Sequence, residues 1–292
     1  MARRPQDLIA QLTSGGYAAL RTVWSDPQAT AMPVRMGGRR ALLVRGEDGV
    51  RLFYDTLLFR RRHAVPAVVA NPLFGRGAVH GLDDHAHTHR KAVFLACLDR
   101  LGVAALADAV DASWQERQLR WPQGQPVRVF DEAVEVLGDA VLTWAGVQPR
   151  PGPGAAADLA TVVEGFGSSS VSEGARRRMA RRRCEAWAAE AVRASRTAQR
   201  DPEHRSPLDR IARATDLEGA PLDERTAAVE LLNLLRPTVA VAWFVAFAAV
   251  AIAEHPELRD RLRSEVHAAL SALCGAEPPS TFHEAARAAS IA

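Results

Sequence analysis

The chain has 292 residues, 48% of them apolar, and its 37 basic and 34 acidic side chains leave a net charge of only +3. That content is enough for a substantial globular core, and so even a mixture of charges gives no footing for a nucleic-acid partner. Three widely spaced cysteines, Cys97, Cys184 and Cys274, form no C-x-x-C pair, which argues against a disulfide framework or zinc knuckle and predicts a reduced, cytoplasmic setting.

The first residues, Met1 to Asp7, are basic but lead into no apolar segment, so no secretory leader is expected. Residues 6–24 read as one or two short helices around Gly15-Gly16. Met32–Met36 and Arg40–Val44 flank Gly37-Gly38, a pair that supplies the positive φ angles of a tight hairpin turn. Helices are then expected near 47–56, 65–71, 86–98, 103–117 and 128–146. The stretch from Gln148 to Gly154, with three prolines and two glycines, reads as a connector. Further helices follow near 156–166, 172–197, 205–214, 222–253 and 255–272, and residues 274–292 lose their apolar rhythm. The sequence predicts a mainly α protein forming a single domain over 1–292. Its parts are a hairpin region at 30–46, helices at 84–146 and 156–197, a long central helix at 222–253 and a poorly specified tail at 274–292.

The helix at 222–253 is the most informative element. It is apolar around nearly its whole circumference, so it is expected in the protein interior. Its uninterrupted apolar run, Thr238–Ala253, is 16 residues, short of the roughly 20 needed for a membrane span. Into this setting fall Arg236, always ionised, and Pro237, which costs about 3 kcal/mol in a helix interior. A buried charge needs a partner, because leaving it without one costs on the order of 3–5 kcal/mol. Glu230 lies six residues away, about 9 Å along the axis at a rise of about 1.5 Å per residue. Arg236 is therefore expected to meet either a ligand anion or an internal carboxylate at a kink.

A second cluster runs from Leu73 to Lys91 and holds four histidines: His80, His85, His87 and His89. On a strand, His85, His87 and His89 would share a face and invite a metal; on a helix they diverge, and the helical continuation of the segment favours that outcome. Gly75 and Gly77 lack the third glycine and preceding strand of a dinucleotide loop. The arginines of 176–183 read as a solvated helix face rather than a phosphate-tracking patch. A serine nucleophile elbow and a P-loop are both absent from the sequence.

Taken together, Phe53-Tyr54-Asp55 with Phe59, Ala64-Val-Pro66, Leu73-Phe74-Gly75, His87-x-x-Arg90-Lys91, Phe130-Asp131-Glu132-Ala133, Trp144-Ala-Gly146, Gly165-Phe-Gly167 and Leu234-Leu235-Arg236-Pro237 resemble one family. It is the hydrogen-peroxide-dependent fatty-acid hydroxylases and decarboxylases of the cytochrome P-450 superfamily, and the likeness covers most of residues 6–262. The resemblance implies a P-450 fold, haem b as cofactor, a long-chain fatty acid and hydrogen peroxide as substrates, and no obligatory redox partner, membrane span or nucleic acid. It implies that Arg236 anchors the substrate carboxylate, which itself performs the acid/base work on peroxide, with Pro237 shaping the helix beside the haem. By the same match His87 and Arg90 face haem propionates, and Phe74 and His80 line the substrate pocket, His80 in a catalytic position.

The departures from the family are as informative. Its thiolate ligand sits in an F-x-x-G-x-x-x-C-x-G loop, and Cys274 has His267 and Leu270 where that loop needs Phe and Gly, while Cys97 and Cys184 fall within helices. Glu284-Ala-Ala-Arg287 has E-x-x-R spacing without the expected continuation. The chain is thus expected to be a shortened, inactive form of the fatty-acid peroxygenase. Two other readings remain: a haem-free acyl-binding or interaction remnant, and a histidine-cluster metallohydrolase.

Overall fold

In the computed structural model of the chain, the structure describes residues 7–15, 18–24, 26, 28–121, 124–164, 171–199 and 205–274. Gly16, the Gly165-Phe-Gly167 segment and the tail beyond Cys274, with Glu284 and Arg287, lie outside the described residues. The chain opens with α1 (Leu8–Gly15) and α2 (Ala18–Val23), then the antiparallel hairpin β1 (Ala31–Met36) and β2 (Arg39–Val44). Met36 pairs with Arg39 across Gly37 (φ 59°) and Gly38 (φ 76°), the two-residue turn that the sequence requires. Among the described residues this is the one sheet, and helices account for the rest.

After α3 (Gly46–Phe53) and α4 (Ala67–Phe74) come α5 (Asp84–Cys97), α6 (Arg100–Gln118) and α7 (Val129–Ala145). The predicted helix at 47–56 ends early, where Tyr54 and Asp55 turn their N–H groups back to Val50 O and Leu52 O. The one predicted at 65–71 starts later, because Pro66 takes the position before the first turn, and runs on to Phe74. α7 buries nine of its residues, among them Ala133, Val134, Val136, Val141 and Ala145, and lies at the centre of the core. Gly146 ends it in the left-handed conformation, with Val147 N–H returning to Leu142 O.

Beyond the connector, α8 (Ala155–Glu164) and α9 (Val171–Thr197) pack on one another, and α10 (Pro207–Ala212) is capped by Ser206 and Asp209 in a reciprocal box. α11 (Glu224–Ala240) then runs through the core against α7, α8, α9 and α10. Its face of Ala227, Leu231, Leu234 and Leu235 is fully enclosed.

The long helix expected at 222–253 is two helices, α11 and α12 (Ala242–Glu254), before α13 (Pro256–Cys274). Four residues past Pro237 the ladder tightens: Val241 N–H reaches Thr238 O, three residues back instead of four. The expectation of a core helix holds for α11, whereas α12 carries the exposed apolar surface that is also expected of the long helix. α12 packs Trp243 edge-on against Phe130 of α7, with ring centroids 4.8 Å apart, yet leaves Phe244 at 74% and Phe247 at 69% exposure. By length and composition alone Glu224–Glu254 could cross a membrane, with 22% of its most apolar stretch buried. An even distribution of apolar residues does not tell a helix which of its sides finds a neighbour.

Candidate functional site

The turn after α4 is fastened from two sides through its main chain. Glu230, Asn233 and Arg236 follow one another at intervals of three on α11, so they share one helix face. Each grips a backbone atom of the turn. Arg236 Nη1 donates to Leu73 O at 2.7 Å, Asn233 Nδ2 donates to Phe74 O at 2.9 Å, and Glu230 Oε1 accepts the Val79 N–H at 2.8 Å. From α9, Arg181 donates to the same two carbonyls, Leu73 O at 3.0 Å and Phe74 O at 3.3 Å. Gly75, at φ 88°, lets the chain pass this close: a Cβ there would lie 2.2 Å from Arg181 Nη2 and 2.7 Å from Val229.

The side chains that this frame presents are the ones singled out in the sequence. Phe74 stacks on His80 with ring centroids 4.1 Å apart at 19°, and the Arg236 guanidinium lies 5.5 Å from the Phe74 ring centre. Arg236 is 6% exposed, its Nε is buried without a hydrogen-bond partner, and no carboxylate among the described residues pairs with it. Its Nη2 has only Asn233 Oδ1, at 3.5 Å. The internal salt bridge at a kink is therefore not what the structure contains. Burial, and then the like charge of Arg181, push the Arg236 pKa down to about 10, so it stays cationic at neutral pH without a counter-charge. Pro237, next to Arg236 on α11, is exposed.

Burial of its inner face, then the charges of Arg236 and His87, hold the His80 pKa down to about 4, although its outer edge meets solvent. Between pH 6.5 and 4 the unfolded chain takes up a proton at this residue that the folded chain refuses, so its contribution to stability is lost as the pH falls through that window. An NMR titration of the His80 ring is expected to show a midpoint near 4. A midpoint near the ordinary histidine value of about 6.5 would mean that the ring is not desolvated beside Arg236 in solution.

His85, His87 and His89 lie on α5, a helix, so they diverge as expected; among the described residues no group of three His, Cys, Asp or Glu is placed to hold a metal ion. His89 Nε2 meets Thr215 O at 3.0 Å. His87 is half-buried, and burial with the nearby charges of Arg61 and Lys91 lowers its pKa. Arg90 forms a buried ion pair, its Nη1 2.8 Å from Glu230 Oε1, while its Nε has no hydrogen-bond partner. Cys97 and Cys184 are buried, and loss of solvent pushes their thiols up to about 11 and about 12, which leaves them protonated and inert.

Sequence reasoning missed Arg181 and Asn233 in this frame and weighed Glu230 only as a counter-charge for Arg236. Arg181 is counted with the arginines of a solvated face, yet it stands three and seven residues before Cys184 and Ala188, both buried, and that spacing puts it on the inner side of α9. Glu230 and Asn233 could have been found as a polar stripe completed by Arg236 in an otherwise apolar helix.

No protein-family model matches the chain. Among solved structures it is similar to ligand-free cytochrome P450 OleT, with a TM-score of 0.81 and 26% identity over 92% of this chain. It is similar to cytochrome P450SP alpha (CYP152B1) in complex with (R)-ibuprophen, with a TM-score of 0.72 and 32% identity over 84% of this chain. It is also similar to cytochrome P450EX alpha (CYP152N1) with myristic acid, with a TM-score of 0.76 and 28% identity over 89% of this chain. The chain belongs to the fatty-acid peroxygenase family of the cytochrome P450 superfamily. It spans 66%, 60% and 64% of the lengths of those three P450 chains, so the P450 fold is represented here in part.

P450 proteins carry haem, and the residues present fit one side of that group only. His87 with Arg61 and Lys91 makes a positive region suited to propionates, whereas both cysteines with described side chains are buried, protonated thiols that fit no iron. Arg90 reaches such a group only from within its pair with Glu230.

Proposed function

We propose that this chain carries the fatty-acid-binding side of a peroxygenase, with Arg236 as the carboxylate anchor. The observation that supports this most is the lone cation itself: Arg236 is 6% exposed, has an unpartnered Nε and faces no carboxylate. A monoanionic head group arriving beside it would supply the missing counter-charge through charge-assisted hydrogen bonds. Phe74 and His80 would line the pocket beside it. A variant of OleT has been seen with arachidonic acid and P450EX alpha with myristic acid, which supports the same ligand class here.

In the reaction so proposed, Arg236 fixes the carboxylate, and the carboxylate handles the protons of hydrogen peroxide as hydroxylation or decarboxylation proceeds. His80, neutral above about pH 4, offers a hydrogen-bonding edge to the reacting end without competing for the anion. When bound, haem would supply the oxidising chemistry, with His87 and Arg90 toward its propionates. Comparing fatty-acid and fatty-alcohol binding in wild type and Arg236→Ala tests the anchor, and equal losses for the two ligands would overturn it.

The 292-residue chain supplied with haem is expected to give no thiolate-type ferrous carbon-monoxide band, because Cys97 and Cys184 are inaccessible to iron. Appearance of that band would make Cys274 the ligand and refute the proposal that this chain by itself is inactive.

A further inference from the structure

We propose that Arg181 is a second, specificity-determining cation of the site, and that Glu185 masks its charge. The inference rests on the reading of Arg236 as the carboxylate anchor. Arg181 and Arg236 come from different helices and donate to the same oxygen, Leu73 O, at 3.0 and 2.7 Å. Two guanidinium groups sharing one carbonyl repel each other, and a hydrogen-bonding role alone would be met by a neutral donor. Arg181 is 5% exposed, as deeply buried as Arg236, so its field is little screened by water.

Among the described residues its carboxylate partner is Glu185, one turn further along α9, whose Oε1 lies 2.8 Å from Arg181 Nε. The two members of this pair differ in setting, the Arg181 side chain being 6% and the Glu185 side chain 25% exposed. The negative end sits at the solvent edge while the positive end reaches inward to the Leu73 carbonyl. With Arg90 neutralised by Glu230 and Arg181 by Glu185, Arg236 is the uncompensated charge of the cluster. Glu185 therefore sets how strongly the site prefers an anion. Arg181 touches no ligand in this arrangement; it acts through its field and through the Leu73 and Phe74 carbonyls.

The test uses the full chain and titrates dodecanoate and 1-dodecanol against wild type, Arg236→Ala, Glu185→Gln, Arg181→Gln and Arg181→Lys at low and high salt. Glu185→Gln is expected to tighten dodecanoate by about two- to fivefold, the scale of a partly exposed ion pair, and to leave the alcohol unchanged. High salt should shrink the gain. Arg181→Gln is expected to weaken dodecanoate by a similar factor, and Arg181→Lys to keep the preference for the acid. If Glu185→Gln changes nothing, or shifts acid and alcohol alike, Arg181 is a fastening residue only and the inference is overturned. If wild type shows no preference for the acid, or Arg236→Ala retains it, the anchor reading itself has failed and the masking falls with it. Glu185 lies at the rim, so its glutamine variant is expected to fold and keep the test decisive.

Discussion

Arg236→Ala is expected to weaken fatty-acid binding at least tenfold while leaving the matching alcohol nearly unaffected. A charge-assisted hydrogen bond contributes about 1.5–3 kcal/mol, and about 1.4 kcal/mol is one decade in affinity. The loss should be selective because the alcohol has no charge for the guanidinium to meet. Stability should behave in the opposite way to that of a structural arginine. The folded protein holds this cation buried, without a counter-ion and beside a second arginine, so removing it relieves a desolvated charge. Leu73 O keeps a donor in Arg181. The melting temperature of the ligand-free variant is expected to stay level or rise. A fall in melting temperature together with equal losses for acid and alcohol would mean that Arg236 serves the fold and not a ligand. Arg236→Lys should rescue acid binding in part, since the ammonium keeps the charge and loses the planar fork.

Gly75→Ala is expected to be among the most destabilising single-methyl additions in the chain. At φ 88° and ψ 163° the backbone occupies a region open almost solely to glycine, which costs another residue on the order of 1–3 kcal/mol. The added Cβ would also meet Arg181 Nη2 at 2.2 Å and two Val229 methyls at 2.7 and 2.8 Å, so both neighbours must move. Gly77→Ala is the control. It too has positive φ, at 75°, but its nearest neighbour, Thr226 Oγ1, is 3.5 Å away. Thermal unfolding should therefore separate the two, with the larger drop at Gly75 accompanied by weakened acid binding because Arg181 is displaced. Equal drops for the two would show that only backbone strain matters and that the close approach of α9 is not maintained in solution.

The fold was largely legible because its signals are local. Glycine pairs, prolines and apolar periodicity mark the hairpin and most helix ends, and none of these depends on distant neighbours. α12 was legible only in part for the complementary reason: composition says that a helix is apolar and leaves open which of its sides find partners. The candidate site was legible where a residue contradicts its surroundings, as Arg236 does in an apolar helix. Arg181 escaped notice because it stands among other arginines, and only its register with Cys184 and Ala188 sets it apart. Arg90 was recognised as important, but its pairing with Glu230 joins residues 140 positions apart, which no local pattern reveals.

The atoms that hold the turn between Leu73 and Val79 are two carbonyl oxygens and one amide, all main chain. A frame fastened in this way is indifferent to most of the side chains it displays. Substitution of Phe74 or His80 would leave these main-chain contacts in place, because neither side chain takes part in them. The architecture thus separates shape from chemistry: the scaffold is encoded at a distance, in two helices, and the side chains displayed on the turn take no part in holding it.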